Sequence, residues 1–153
     1  MRSLRLVSII VIASVSLLFG CSDKSVDQGE FPPEKKATAV VNGTEYRMEK
    51  GNFQWVRKKG LETESIQTDH ASPNQMAVQL KPILVKPDQK VKVKIEDDPV
   101  IKVYLWNETG IESEIKLEDN QINMPADKGK YIYEVLAEWQ NGEISFTFVA
   151  EVQ

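Results

Sequence analysis

Cysteine and histidine occur once each, as Cys21 and His70. One cysteine excludes an intramolecular disulfide, and one thiol with one imidazole supplies too few of the usual ligands for a zinc site. Basic residues are in deficit: 19 Lys and Arg stand against 23 Asp and Glu, a net charge of −4. The chain therefore lacks the surplus of positive charge with which proteins neutralise nucleic-acid phosphates, so no nucleic-acid partner is expected. Long apolar runs are scarce too. The one run, Leu6 to Phe19, falls short of the roughly 20 apolar residues that a spanning helix needs.

What that run does carry is the layout of an export signal. Arg2 and Arg5 precede it, and only Ser8, Ser14 and Ser16 interrupt it. At its foot, Leu18-Phe19-Gly20-Cys21 resembles the lipobox of bacterial lipoproteins. The resemblance implies diacylglycerol on the Cys21 sulfur, cleavage between Gly20 and Cys21, and a further acyl chain such as palmitate on the new amino terminus. Gly20 suits the cut because a residue without Cβ lets a peptidase approach the backbone closely. Two acyl chains give stable anchoring, so the expected location is the extracytoplasmic face of the cell membrane. Loss of residues 1–20 removes two arginines and no acid, which takes the net charge from −4 to −6. That value speaks against bulk attraction to anionic lipids or wall polymers. The runs Arg57-Lys58-Lys59 and Lys90, Lys92, Lys94 are read as solvated edges.

Three segments follow: a signal peptide over 1–20, a lipidated N-terminus with a flexible tether over 21–36, and a folded domain over 37–153. The tether is read from "SDKSVDQGEFPPEKK", which has no apolar period and contains Pro32-Pro33. The domain reads as β. Asn42-Gly43 and Asn141-Gly142 each sit between alternating runs and predict type I′ hairpins. The first places Ala39 opposite Tyr46. The second places Trp139 opposite Ile144 and Val135 opposite Phe148, with one apolar face and one polar face. Further strands are expected at 53–57, 90–96, 100–106, 112–117 and 121–124. Ser72-Pro73 followed by Gln75 predicts one short helix with a capping box. The fold class is mainly β: a single antiparallel sandwich with at most one short helix.

Asp127-Lys128-Gly129-Lys130-Tyr131 resembles the tyrosine-corner signature of immunoglobulin-like domains. The resemblance implies a Tyr131 hydroxyl bonded back to nearby backbone. It also puts Tyr133 where that family has its second cysteine, so an apolar contact must replace the inter-sheet disulfide, and it casts Trp106 as the strand-C tryptophan. The whole body is similar to small lipoproteins of Gram-positive bacteria, a resemblance that brings no activity with it.

Candidate chemistry is thin. Asp69-His70-Ala71-Ser72 holds three triad residue types, but four consecutive loop residues do not build a triad with an oxyanion hole, and no catalytic residues are assigned. A calcium site is the minority expectation. If the strands alternate in direction, the turns near 97–99 and 118–120 share one end and gather Glu96, Asp97, Asp98, Glu118 and Asp119, with Asn120 as a neutral ligand. The bland alternative is a pair of polar turns. No other cofactor is expected beyond the covalent lipid. Trp55, beside the basic turn in "GNFQWVRKKG", is read either as core or as an exposed anchor for an envelope protein or glycan. The expected function is a membrane-anchored, non-enzymatic binding module of the envelope. The alternatives are a protease-inhibitor or immunity-type lipoprotein, or a small ligand-carrying or hydrolytic protein.

Overall fold

The computed structural model describes residues 30–153; Cys21, the Gly20–Cys21 bond and the export segment lie outside the described residues. In chain order the elements are β1 (Ala37–Val41), β2 (Thr44–Arg47), β3 (Glu49–Lys59), β4 (Glu62–Thr68), α1 (Pro73–Ala77) and β5 (Ile83–Val85). They continue with β6 (Lys90–Ile95), β7 (Val100–Asn107), β8 (Gly110–Ile115), β9 (Gln121–Asn123), β10 (Gly129–Trp139) and β11 (Gly142–Val152). Two sheets form a β-sandwich. The smaller has the order β2-β1-β6-β9 and the larger β4-β3-β11-β10-β7-β8, with β5 added beside β11.

The wiring follows from which strands cross between sheets. β1, β6 and β9 share one sheet while β7, β10 and β11 share the other, a Greek-key arrangement. Two features modify it. The segment β2–β4 is inserted after the first strand, and the chain changes sheet at Met48, which is buried and bonds Ala37 O through its own N–H at 3.0 Å. The chain then returns as β5, which pairs parallel with Ala150–Val152 of β11, an exception to an otherwise antiparallel fold. Neither β4 nor β5 was expected from the sequence.

Alternation fills the core. Val91 and Val93 of β6 face inward with Ala37, Ala39 and Val41, against Val103, Val135, Ile144, Phe146 and Phe148 of the other sheet. Tyr133 is 1% exposed, and its ring stacks at 5.1 Å on that of Phe148, its directly paired neighbour in the same sheet. Burial, followed by the neighbouring Tyr131, raises the Tyr133 hydroxyl pKa well above that of an ordinary tyrosine. The tyrosine corner is present: the Tyr131 hydroxyl donates to Asp127 O at 2.9 Å. The capping box is present as well, with Ser72 Oγ accepting from Gln75 N and Gln75 Oε1 accepting from Ser72 N.

Three expectations are corrected. Asn42 and Gly43 have φ of 49° and 82° and form the anticipated turn with Ala39 opposite Tyr46, but Asn141-Gly142 does not repeat it. There the loop is Gln140-Asn141, neither Asn141 nor Gly142 has positive φ, and the pairs are Trp139–Gly142, Val135–Phe146 and Tyr133–Phe148. The register is shifted by two residues, which leaves the apolar set on the same face. Trp106 is not the core tryptophan. It pairs with Ile132, faces outward, and donates from Nε1 to Glu134 at 2.9 Å, while Val103 fills the core. The expected tether also ends sooner, because packing starts at Phe31 rather than at Ala37: Phe31 packs against the core and Glu34, Lys35 and Lys36 make ion pairs with the domain.

Candidate functional site

The incoming chain, the β6–β7 turn and the β10–β11 turn meet at one end of the sandwich. Lys36 O accepts from Glu96 N at 3.0 Å, Lys35 pairs with Asp97, and Trp139 Nε1 donates to Glu96 O at 3.3 Å. Lys35 Nζ also lies 5.8 Å from the Trp139 ring centroid. Beyond this end β3 and β4 continue unsupported by the rest of their sheet. Trp55 opposes Gly142, the first residue of β11, and Val56 N donates to Asn141 O at 2.7 Å. From Arg57 to Lys59 the only partner strand among the described residues is β4, through Glu62–Glu64.

The hairpin stands because its flanks are paired. Arg57 Nε and Lys59 Nζ reach Glu64 at 2.7 and 3.1 Å, and the Arg57 guanidinium covers the Phe31 ring at 4.2 Å. The hydrogen bond from Arg57, followed by that from Lys59, holds the Glu64 carboxyl below the usual carboxylate range. At the tip Gly60 takes φ of 64°, and Leu61 is 107% exposed. Between the hairpin and the β10–β11 turn lies an open cleft of ≈ 870 Å³, lined among others by Lys58, Thr63, Glu138, Gln140 and Glu143. The arrangement offers an apolar tip, a cationic flank and a polar cleft.

Trp55 is not the exposed group of this region. It is 6% exposed, and its ring meets that of Trp139 at 5.4 Å with a 54° tilt. The exposed apolar side chain is Leu61, six positions along. Its signal was available in "KKGLE", where an apolar residue follows a turn glycine between charges.

Of the five acids expected around calcium, Glu96 and Asp97 have partners among the described residues. The two turns do come together: Glu96, Asp98 and Asn120 line one depression of ≈ 520 Å³ with Lys36, Lys92 and Lys94. Asp97 is paired with Lys35, and Glu96 accepts from Lys36 N at 3.1 Å. Asp97, Asp98, Asp119 and Asn120 all have positive φ, between 42° and 60°. Short polar side chains tolerate that conformation best, so the turns themselves account for the residue types. Glu118 and Gln121 close the second turn by exchanging backbone hydrogen bonds of 3.3 and 2.9 Å. Among the described residues no group of three or more His, Cys, Asp or Glu side chains is arranged to hold a metal ion.

Asp69, His70 and Ser72 belong to the loop that leads α1 across the outer face of the larger sheet. Ser72 caps the helix, and His70 N donates to Asn52 Oδ1. Asp69 lines a groove of ≈ 510 Å³ on that face with Asn52, Gln54, Gln67, Glu134 and Glu143. Among the described residues no helix is long and apolar enough to cross a membrane. No family model, no curated protein and no solved structure matches the chain.

Proposed function

We propose that the chain is a lipid-anchored protein of the cell envelope that acts as a non-enzymatic binding module, engaging an envelope protein through the β3–β4 hairpin and the cleft beside it. Cys21 carries the lipid, and the sandwich is held at the extracytoplasmic face. The observation that carries the binding role is Leu61, fully exposed at the tip of a hairpin that reaches past the end of its own sheet. An isolated Leu in water gains roughly 1.5–3 kcal/mol when a partner buries it, and the ion pairs of Arg57 and Lys59 with Glu64 hold the hairpin ready for that contact.

The test has two parts. In intact cells, Cys21→Ala should abolish the lipid mass and block processing at Gly20–Cys21. A photo-crosslinking residue at position 61 should capture one reproducible protein, while the same residue at position 128, in the loop before β10, captures none. Unchanged mass overturns the anchor, and equal or absent capture at the two positions overturns the hairpin as the binding element. A protease-inhibiting role is the second reading, favoured by the exposed, conformationally fixed segment Lys58-Lys59-Gly60-Leu61. Cleavage there without inhibition would reject it.

A further inference from the structure

The groove of ≈ 510 Å³ on the outer face of the larger sheet carries charge of one sign. Its walls hold three carboxylates, those of Asp69, Glu134 and Glu143, and no lysine or arginine. None of the three makes an ion pair among the described residues; Glu134 only accepts from Trp106 Nε1 at 2.9 Å. Nearby cations are engaged or turned elsewhere. Lys102 is paired with Glu138 at 3.0 Å, and Lys50, which opposes Phe146, lies over the Phe53 ring on the inner face. By strand parity Glu49, Glu114, Glu134, Glu138, Glu143 and Glu151 face outward against Lys58, Lys102 and Lys130, six acids to three bases. The loop through α1 adds Asp69 and Lys81, one of each sign, so the face keeps a surplus of three negative charges. A hydroxyl completes the groove. Ser145 is 4% exposed and lines it, and no side-chain hydrogen bond of Ser145 is seen among the described residues. Gly51 makes the room, since a Cβ there would lie 2.6 Å from Ser145 Oγ. A hydroxyl so enclosed ordinarily has a partner, and here the open side is the groove.

We infer that this groove takes an extended basic segment of the partner protein, with lysine or arginine side chains on Glu143 and Glu134, an inference that rests on the hairpin-binding reading. Charge, spacing and continuity choose this occupant. Three carboxylates and a free hydroxyl oxygen are acceptors, and ammonium or guanidinium groups bring only donors. Glu143 and Thr147 are four residues apart on β11 and Thr147 opposes Glu134, so about 13 Å of strand separates the two carboxylate positions. One metal ion cannot reach both, and among the described residues no group of three such ligands is arranged to hold one. An extended segment with cations at its first and fifth residues spans the same length of about 13 Å. Continuity comes from the walls: the groove shares Gln54 and Glu143 with the cleft beside the hairpin. A segment lying in that cleft therefore continues into the groove.

The full-length protein, isotope-labelled and held in neutral dodecyl maltoside, is titrated by NMR with the acetylated, amidated peptide Lys-Ser-Thr-Ser-Lys. The Trp106 indole N–H, bonded to Glu134, is the reporter. Its signal should shift and saturate with a Kd of about 1 mM, while the peptide Glu-Ser-Thr-Ser-Glu leaves it in place. About 0.5 M salt, where the Debye length is about 4 Å, should weaken the binding about fivefold. Glu134→Gln and Glu143→Gln should each weaken it about threefold, and Glu118→Gln, in the β8–β9 turn, should not. No shift at about 10 mM peptide, an equal shift with the glutamate peptide, or an affinity unmoved by both glutamine variants overturns the groove as a cation site. An equal shift with calcium chloride in place of the peptide overturns it in favour of a metal ion. Capture at position 61 without peptide binding rejects the groove and leaves the hairpin standing; peptide binding with no capture at position 61 supports the groove and rejects the hairpin.

Discussion

Gly142→Ala isolates the reason for a glycine that the sequence assigns to the wrong cause. Asn42-Gly43 and Asn141-Gly142 are the same dipeptide, yet only the first is a left-handed turn. At Gly142 a Cβ would sit 2.3 Å from Gln54 O, 2.7 Å from Trp55 Cε3 and 2.8 Å from Trp55 Cα, where ordinary contact begins at 3.4 Å. Two of these three atoms are backbone, so β3 must retreat from β11 by about 1 Å. That retreat weakens the 2.7 Å bond from Val56 N to Asn141 O and separates Trp55 from Trp139. Overpacking typically costs 1–3 kcal/mol and a lost hydrogen bond about 1, so about 3 kcal/mol is expected in all. Gly43→Ala meets nothing within 4 Å and costs only the left-handed strain, about 1 kcal/mol. Urea unfolding followed by tryptophan fluorescence reads both variants. With a slope of about 2 kcal/mol/M the midpoints should fall by about 1.5 M and about 0.5 M. Equal shifts would refute close approach as the reason for Gly142.

Two further outcomes follow from single groups. Thr147 is fully buried and its Oγ1 has no hydrogen-bond partner among the described residues; Thr147→Val should therefore stabilise the domain by about 1 kcal/mol in the same urea assay, and a loss of stability would mean the hydroxyl is satisfied. The carboxyls of Glu45, beside Lys94 and Lys36, and of Glu64, beside Arg57 and Lys59, are held below their ordinary values. A lowered carboxylate pKa supplies stability that is complete above the unfolded-state value and is lost as pH falls through the folded one. Glu45→Gln and Glu64→Gln should each flatten the acid-side decline of the urea midpoint and leave its alkaline side unchanged; an unaltered acid slope would contradict the assignment.

What could be read from the sequence was whatever local chemistry decides. Alternation in "KVKVKIE" gave β6, the Ser72-Pro73-Gln75 spacing gave α1, and Asn42-Gly43 gave the first turn, each later seen with its expected geometry. What was missed depends on partners distant in sequence. β5 is three residues long, and its ladder lies on β11, more than sixty positions away. β4 turns only Ile66 firmly toward the core, because it is an outer strand of the larger sheet, and edge strands are often polar. Trp106 was misplaced by parity: Val103 and Leu105 face inward, so Trp106 must face outward. At the site, Trp55 drew attention by residue type, but only the pairing of β3 with β11 reveals that Gly142 leaves room for its ring.

The insertion of β2–β4 connects these features. A sandwich of this wiring leaves the outer edge of its last strand open, and an open edge invites pairing with another chain. Here β3 covers Gly142–Thr147 of β11 and β5 covers Ala150–Val152, so the edge is closed by two segments in succession. The changeover follows the irregularity between Ile144 and Phe146, where Gly51 lies so close that a Cβ would meet Ser145 Oγ at 2.6 Å. Closing the edge transfers the exposed margin of the sheet outward to β4, whose Glu62 and Glu64 keep it charged. The same insertion places Leu61 at the hairpin tip. One departure from the basic wiring thus closes an edge prone to association and supplies the hairpin assigned to contact.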